Sequence, residues 1–462
     1  MSKSPEPPLR LPVTNSTDPF WHKEKHPIHN HGSDEESPIP EFSDVVIIGA
    51  GYAGVATAYN IVKGNPTGQK LSVTILEARS VCSGATGRNG GHLRPDLYGH
   101  IPKYIDRYNA ATGEELAKFE VEHVQALKEL IERENIECDF VMTRTCDVWT
   151  TQQQVDQFKA VYEGMKSHGF KYMDDVEFTE GEEAEAVSGV KGAMACTTYS
   201  AATLSPYKLI TQLLATIVNT GSVNLRTNAP VVCLIPYSSG GYLVETRRGD
   251  IRAGKVIHAT NAYISDLLPE YSASVVPCKG ICCHISLPEG SEPPPVKYSY
   301  IIRNKESVLD YLIPRADGSI IVGGASKNFR PYEDQWYNNV NDDTLIKAVD
   351  GYYDDYMQRT FKGWEDSGAK VKTIWTGIMG YSADSNPHVG SVPNRKDQFV
   401  IAGFNGHGMP VIWLAAKGLA EMICEGKNFE EVETKMPKLL KTTEERLMKA
   451  QNGPVGGDIL SN

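Results

Sequence analysis

The chain has 462 residues, 40% of them hydrophobic, enough to build two cores. Its 46 basic against 58 acidic side chains leave a formal charge of −12, which argues against nucleic acid or an anionic membrane as the main partner. Nine cysteines with no C-x-x-C pair, a polar start without an apolar leader core, and no membrane-spanning run point to reduced thiols in a cytoplasmic protein. The final Leu460-Ser461-Asn462 is not the peroxisomal Ser-Lys-Leu address.

In chain order, residues 1–40 read as an extended arm in which Pro5, Pro7, Pro8 and Pro12 bar regular helix and Phe20-Trp21 is an apolar anchor. His22, His26, His29 and His31 cluster there without carboxylates or thiolates to fix an ion, so no metal is expected. The apolar strand 44–48 then runs into Gly49-Ala50-Gly51-Tyr52-Ala53-Gly54. In such a G-x-G-x-x-G turn the first glycine allows the bend and the second lets backbone approach a pyrophosphate. The third lets the next helix, over 53–62, lie close on the sheet. Strand 71–77 ends in Glu77, a carboxylate placed to accept both ribose hydroxyls, which suits NAD or the ADP half of FAD.

Periodicity next predicts an amphipathic helix over 114–135 whose apolar stripe reads as structure rather than a binding box. Helix 206–219 and strands 229–236, 242–247 and 255–260 return to α/β character; the last ends in Ala259-Thr260-Asn261, small residues where backbone can pass near a ligand, although Asn261 is equally a turn residue. From 277 to about 373 the pattern is strand-rich, with a loop over 288–296 and a hairpin of 311–315 with 320–324. Tyr352, Tyr353 and Tyr356 sit at helical spacing and read as packing. Strand, Gly-rich turn and helix recur at 399–424, with Gly403, Asn405, Gly406, His407, Gly408 and Met409 in the turn, Pro410 after it and Gly426 closing the helix. Such a helix N-terminus can stabilise negative charge on a cofactor. A charged helix and a Gly/Pro tail occupy 438–462.

With Glu77-Ala78-Arg79 followed by Ser83-Gly84-Ala85-Thr86-Gly87-Arg88-Asn89-Gly90-Gly91, and with 259–263, 384–390 and 403–409 in order, the chain resembles the FAD-dependent D-amino-acid oxidase superfamily. The likeness is greatest to its γ-glutamylputrescine-oxidase-like branch and fungal relatives, over about residues 40–425. The resemblance implies an α/β protein with a discontinuous Rossmann-like FAD domain (41–100, 190–275 and 375–430) and a mixed-sheet substrate domain (101–189 and 276–374). Residues 431–462 form a C-terminal helix and tail. It places the 84–91 loop and His92 beside the flavin, Val232 at the adenine, and the 406–409 turn at the pyrimidine edge.

The activity so implied is oxidation of a C–N bond of an amine or amino-acid derivative to an imine, by hydride transfer to the flavin, with O2 as acceptor. Relatives that oxidise simple amino acids hold the carboxylate with an Arg where this chain has Met379; Arg303, Arg315 and Arg330 are the candidate replacements. Gly377 and Arg88 stand where other relatives carry the Cys or His that links their flavin, so the FAD is expected to be non-covalent, although Cys82 lies near the loop. Trp375, Met379 and Tyr381 line the substrate pocket or pack the core. His407, His92 and Lys297 are the candidate catalytic residues, His407 as an adjustable proton site and Lys297 for the oxygen step. The alternatives are a dehydrogenase using another acceptor and a non-catalytic flavin-binding protein. A nicotinamide-dependent monooxygenase lacks its second G-x-G-x-x-G.

Overall fold

The run at 45–48 has no polar face, and it becomes a strand buried on both sides. Phe42–Ile48 lies between Gly249–His258 and Val73–Leu76, parallel to both. Val223–Arg226 continues the sheet beyond Val73–Leu76, and Gln398–Ala402 beyond Gly249–His258, again in parallel. His388–Ser391 closes the far edge antiparallel. Helices Tyr52–Lys63, Pro206–Val218 and Ile412–Glu425 share the largest core with this sheet. Because five strands run the same way, the loops after Ile48, Leu76, Arg226, His258 and Ala402 gather at one edge, where open α/β sheets bind ligands.

The computed structural model describes residues 10–65 and 67–453; Pro5, Pro7 and Pro8 of the arm and the 454–462 tail lie outside the described residues. A second sheet has the order Lys370–Ser382, Val275–Ser286, Ile320–Gly324, Leu309–Pro314, Ser299–Arg303, Val141–Trp149, Ala195–Thr203, His92–Leu93, with Glu177–Glu180 on Ala195–Thr203. The expected domain limits therefore shift: Ala195–Thr203, Lys370–Ser382 and His92–Leu93 belong to this sheet and not to the nucleotide sheet. A strand's apolar pattern tells that it is buried, and only long-range pairing tells in which sheet.

The long helix Ala110–Glu134 begins four residues before the expected 114 because the Asn109 side chain caps it, accepting from Thr112 N–H; it ends at Asn135 in the left-handed conformation. Residues 10–40 lie along the body with two short turns, Phe20–His22 and Pro27–Asn30. Trp21 is 5% exposed and donates its indole N–H to Asn89 O at 2.7 Å. All nine cysteines are free thiols. Among the described residues no helix is long and apolar enough to cross a membrane, and no group of three His, Cys, Asp or Glu could hold a metal.

Candidate active site

Each motif glycine has a geometric cause. At Gly49 φ is +111°, and a Cβ there would lie 2.7 Å from Ala259 O; at Gly54 it would lie 2.0 Å from Gly49 O. These two fix backbone on backbone. Gly51 differs: a Cβ would meet only Thr86 Oγ1 at 3.1 Å, so its open side faces away from protein, as does that of Gly84. Thr86 Oγ1 accepts from Tyr52 N–H at 2.9 Å, bringing the 84–91 loop to the start of helix Tyr52–Lys63. Glu77 accepts from Ala50 N–H at 2.8 Å and Arg79 N–H at 2.9 Å; burial raises its pKa while those donors and Arg79 oppose the rise. Ala229 N–H donates to Glu77 O and Asn228 N–H to Arg79 O, so Val232, at a bulge in Val231–Pro236, follows the same edge.

Arg79 and Arg88 turn toward the protein. Arg79 grips both oxygens of buried Asp342 at 3.0 and 3.1 Å. Arg88 donates to Ser83 O and Thr376 O at 2.7 Å each and to Thr17 Oγ1 at 3.1 Å, contacts Ser16 Oγ, and lies 3.4 Å from Asp342. Their side chains thus brace the loop from beneath. The loop is held on its other flank as well: Asn89 bonds Thr86 O and Gly91 N–H, and Gly90 packs on Tyr311. Trp375 is wholly buried and donates to Arg88 O at 2.8 Å, so it supports the loop and lines no open wall. Cys82 is 1% exposed, its thiol pushed well up by burial, and it contacts Ala50 O.

The 403–409 turn is fixed from both sheets. Asn261, at φ +47°, accepts from Gly403 N–H at 3.0 Å, and Asn405 accepts from Ser382 N–H at 2.7 Å. Met379 and Tyr381 face the turn, within 3.1 and 3.0 Å of where a Cβ on Gly406 would sit. Met409 is buried and touches the Asn89 amide. Helix Ile412–Glu425 follows with Val411 as cap, and Leu414 N–H donates to His123 Nε2 at 3.0 Å.

His123 belongs to the long helix, as does Glu120, whose Oε2 lies 2.7 Å from His407 Nε2 and accepts from Asp96 N–H at 2.6 Å. Burial disfavours a charged His407, but Glu120 and Asp96 outweigh it and raise the pKa above its ordinary value; the ring remains 34% exposed. His92 lies 2.7 Å from Ser299 Oγ, and burial, Arg94 and His407 hold its pKa well below the ordinary value. Lys297 is exposed in the loop before Ser299.

Strand pairing puts these groups on one surface. Opposed residues share a face, so His92, Thr203, Tyr199, Thr145, Ser299, Tyr311, Cys282, Trp375, Met379 and Tyr381 all point to the same side of the second sheet. Its two ends meet one turn: Met379 and Tyr381 approach Gly406, while just past His92–Leu93 at the opposite end Asp96 N–H donates to Glu120 Oε2, which also holds His407. The sheet is therefore curled, and its inner face looks onto the nucleotide edge.

Residues 44–422 match the sequence-family model described as FAD dependent oxidoreductase, DAO. The chain belongs to this family. It is 24% identical over 384 residues to gamma-glutamylputrescine oxidoreductase of Escherichia coli (strain K12), covering 82% of this chain and 83% of that protein. Glycine oxidase from Geobacillus kaustophilus has the same fold, with a TM-score of 0.69, 20% identity, and 88% and 99% of the two chains covered. L-proline dehydrogenase from P. horikoshii gives 0.67 at 19% identity, with 87% and 98% covered. The protein is accordingly a flavoenzyme with FAD as its cofactor. The residues present fit that group: Gly51 and Gly84 leave space at the helix start, Glu77 stands at the neighbouring strand end, and Ser83 Oγ is buried without a partner.

Sequence reasoning missed Glu120, His123, Asp96 and Asp342. The available signal was a Glu and a His inside the apolar stripe of the long helix, where a buried polar group needs a partner.

Proposed function

We propose that the protein oxidises the C–N bond of a small amine or amino-acid derivative to an imine, which water hydrolyses, with O2 as terminal acceptor and H2O2 as product. Bound FAD, held non-covalently, supplies the two-electron acceptor for hydride from the carbon next to nitrogen. The chain's own residues do the rest. The Gly51 and Gly84 backbone, Ser83 and Glu77 hold the cofactor. Met379 and Tyr381 orient the amine from the inner sheet face, and the curled sheet excludes water. His407, once deprotonated, takes the ammonium proton, so that the substrate reacts as a neutral amine, and Glu120 fixes the ring for this transfer.

The observation that carries the reading is the His407–Glu120 pair, set on a glycine turn between the nucleotide edge and the inner sheet face. The names of the matched proteins, a gamma-glutamylputrescine oxidoreductase and a glycine oxidase, support the substrate class. The test is anaerobic mixing of the yellow protein with amines, N-methyl amino acids, D-amino acids and γ-glutamyl-polyamines. One class should bleach the flavin, and admitting air should restore colour with one H2O2 per turnover. Bleaching that air does not reverse would point to another acceptor; no bleaching by any amine would end the amine reading.

A further inference from the structure

On the inner face of the second sheet, Arg94, Asp147 and Arg303 form a recess. Arg94 Nη2 donates to Asp147 Oδ2 at 2.8 Å, and Arg303 Nη1 stands 3.8 Å from the same oxygen, too far for a hydrogen bond. Arg94 is shared between Asp147 and the neighbouring Asp96, so the guanidinium left without a hydrogen-bonded carboxylate is that of Arg303. The Asp147 side chain is fully buried while Arg94 and Arg303 are 14% and 26% exposed, so the cations, not the anion, are reachable. Tyr199 lies 5.2 Å under the Arg94 guanidinium and Trp149 5.1 Å under that of Arg303, which fixes both planes.

The recess is also under-satisfied. Arg94 Nε, Arg303 Nη1, Tyr199 Oη and Thr145 Oγ1 are buried donors with no partner, against Asp147 Oδ1 as the one unpartnered carboxylate oxygen. Donors buried without acceptors are costly, and two arginines with spare N–H groups match the geometry of a second carboxylate. The other candidate arginines are unsuited: Arg315 pairs with Asp139 at 2.6 Å and Arg330 is exposed.

We propose that this recess binds a carboxylate that the substrate carries away from the carbon whose C–N bond is oxidised. The inference rests on the amine-oxidising reading above. Met379, not a cation, faces the 406 turn, and the strand of Arg303 lies four strands away from that of Met379, on an arc whose ends the curl of the sheet brings closer together. The carboxylate is thus several bonds from the reacting carbon, and the substrate is an amine with a remote acid group.

The test uses the FAD-loaded full chain. Anaerobic flavin reduction is compared for 4-aminobutyrate and 6-aminohexanoate against their carboxamides, which match in shape and lack the charge. The better carboxylate should be preferred about 10-fold or more over its amide in the second-order rate constant of flavin reduction, and Arg303→Gln should bring that ratio close to one. Equal use of acid and amide by the wild type overturns the proposal, as does a preference that survives Arg303→Gln. Should that variant fail to fold, the wild-type acid and amide pair decides alone. Should no amine reduce the flavin, the oxidation reading fails separately. Glutarate titration of the oxidised protein then decides: a flavin band shift weakened by Arg303→Lys supports the recess, and no shift overturns it.

Discussion

The nucleotide edge and the inner sheet face are built by opposite routes. At the edge, Gly49, Gly51, Gly54 and Glu77 come from one βαβ stretch, and each is dictated by local backbone geometry. On the sheet face, His92, Tyr199, Arg303 and Met379 arrive from four distant strands, and Glu120 from a helix between them. A site made of backbone is fixed by the covalent chain nearby; a site made of side chains depends on the pairing of the whole fold.

The sharpest way to break this contrast lies within the edge itself. Gly51→Val should fold, because φ there is an ordinary −87° and only Thr86 Oγ1 is near, yet it should lose FAD on gel filtration. Gly54→Val drives a Cβ to 2.0 Å from Gly49 O and should cost about 3 kcal/mol or more, seen as aggregation or a low Tm. If Gly51→Val kept full flavin, the open side of that glycine would not be the phosphate side.

Trp21 joins the two regions from outside both. It donates to Asn89 O, its ring edge lies 3.3 Å from where a Gly91 Cβ would be, and Arg315 stacks 4.6 Å from it. Trp21→Ala should lose about 3–5 kcal/mol and speed FAD release, read by urea denaturation and by ultrafiltration of free flavin. A stability loss with unchanged flavin release would make the arm a brace for the fold alone.

What the residues disclosed follows the same division. The G-x-G-x-x-G turn, Glu77, the helix 206–218, the 309–324 hairpin and the 403–409 turn were readable because turn chemistry and periodicity are local. The fates of Arg79 and Arg88 were not, since Asp342 meets them across more than 250 positions of chain. Asp384 shows the same effect: Arg446 of the C-terminal helix grips it at 2.7 and 3.0 Å, a contact no pattern near Asp384 announces. The face shared by Met379 and His92 depends on register across eight strands.

The smallest effect concerns protons, and here His407 and the other buried histidines carry opposite signs. Burial pulls His29, His123, His258 and His284 down to about 4 and His22 to about 3. The unfolded chain protonates these rings below about pH 6.5, whereas the folded protein resists until 4 or lower, so the contribution of these rings to stability should fall from pH 6.5 to about 4, and that of His22 to about 3, and be constant below. His407 runs the other way: its folded pKa is raised by Glu120, so its contribution is complete below pH 6.5 and disappears as pH climbs through the raised value. Glu120→Gln keeps a hydrogen-bond partner but removes the charge. It should therefore cost more at pH 6 than at pH 9, by about 1 kcal/mol once solvent screening of a ring one-third exposed is allowed for. Urea denaturation of the holoprotein at the two pH values measures the difference. An equal loss at both would mean that His407 is neutral beside Glu120, and the proton site at the turn would then have to be sought in another group.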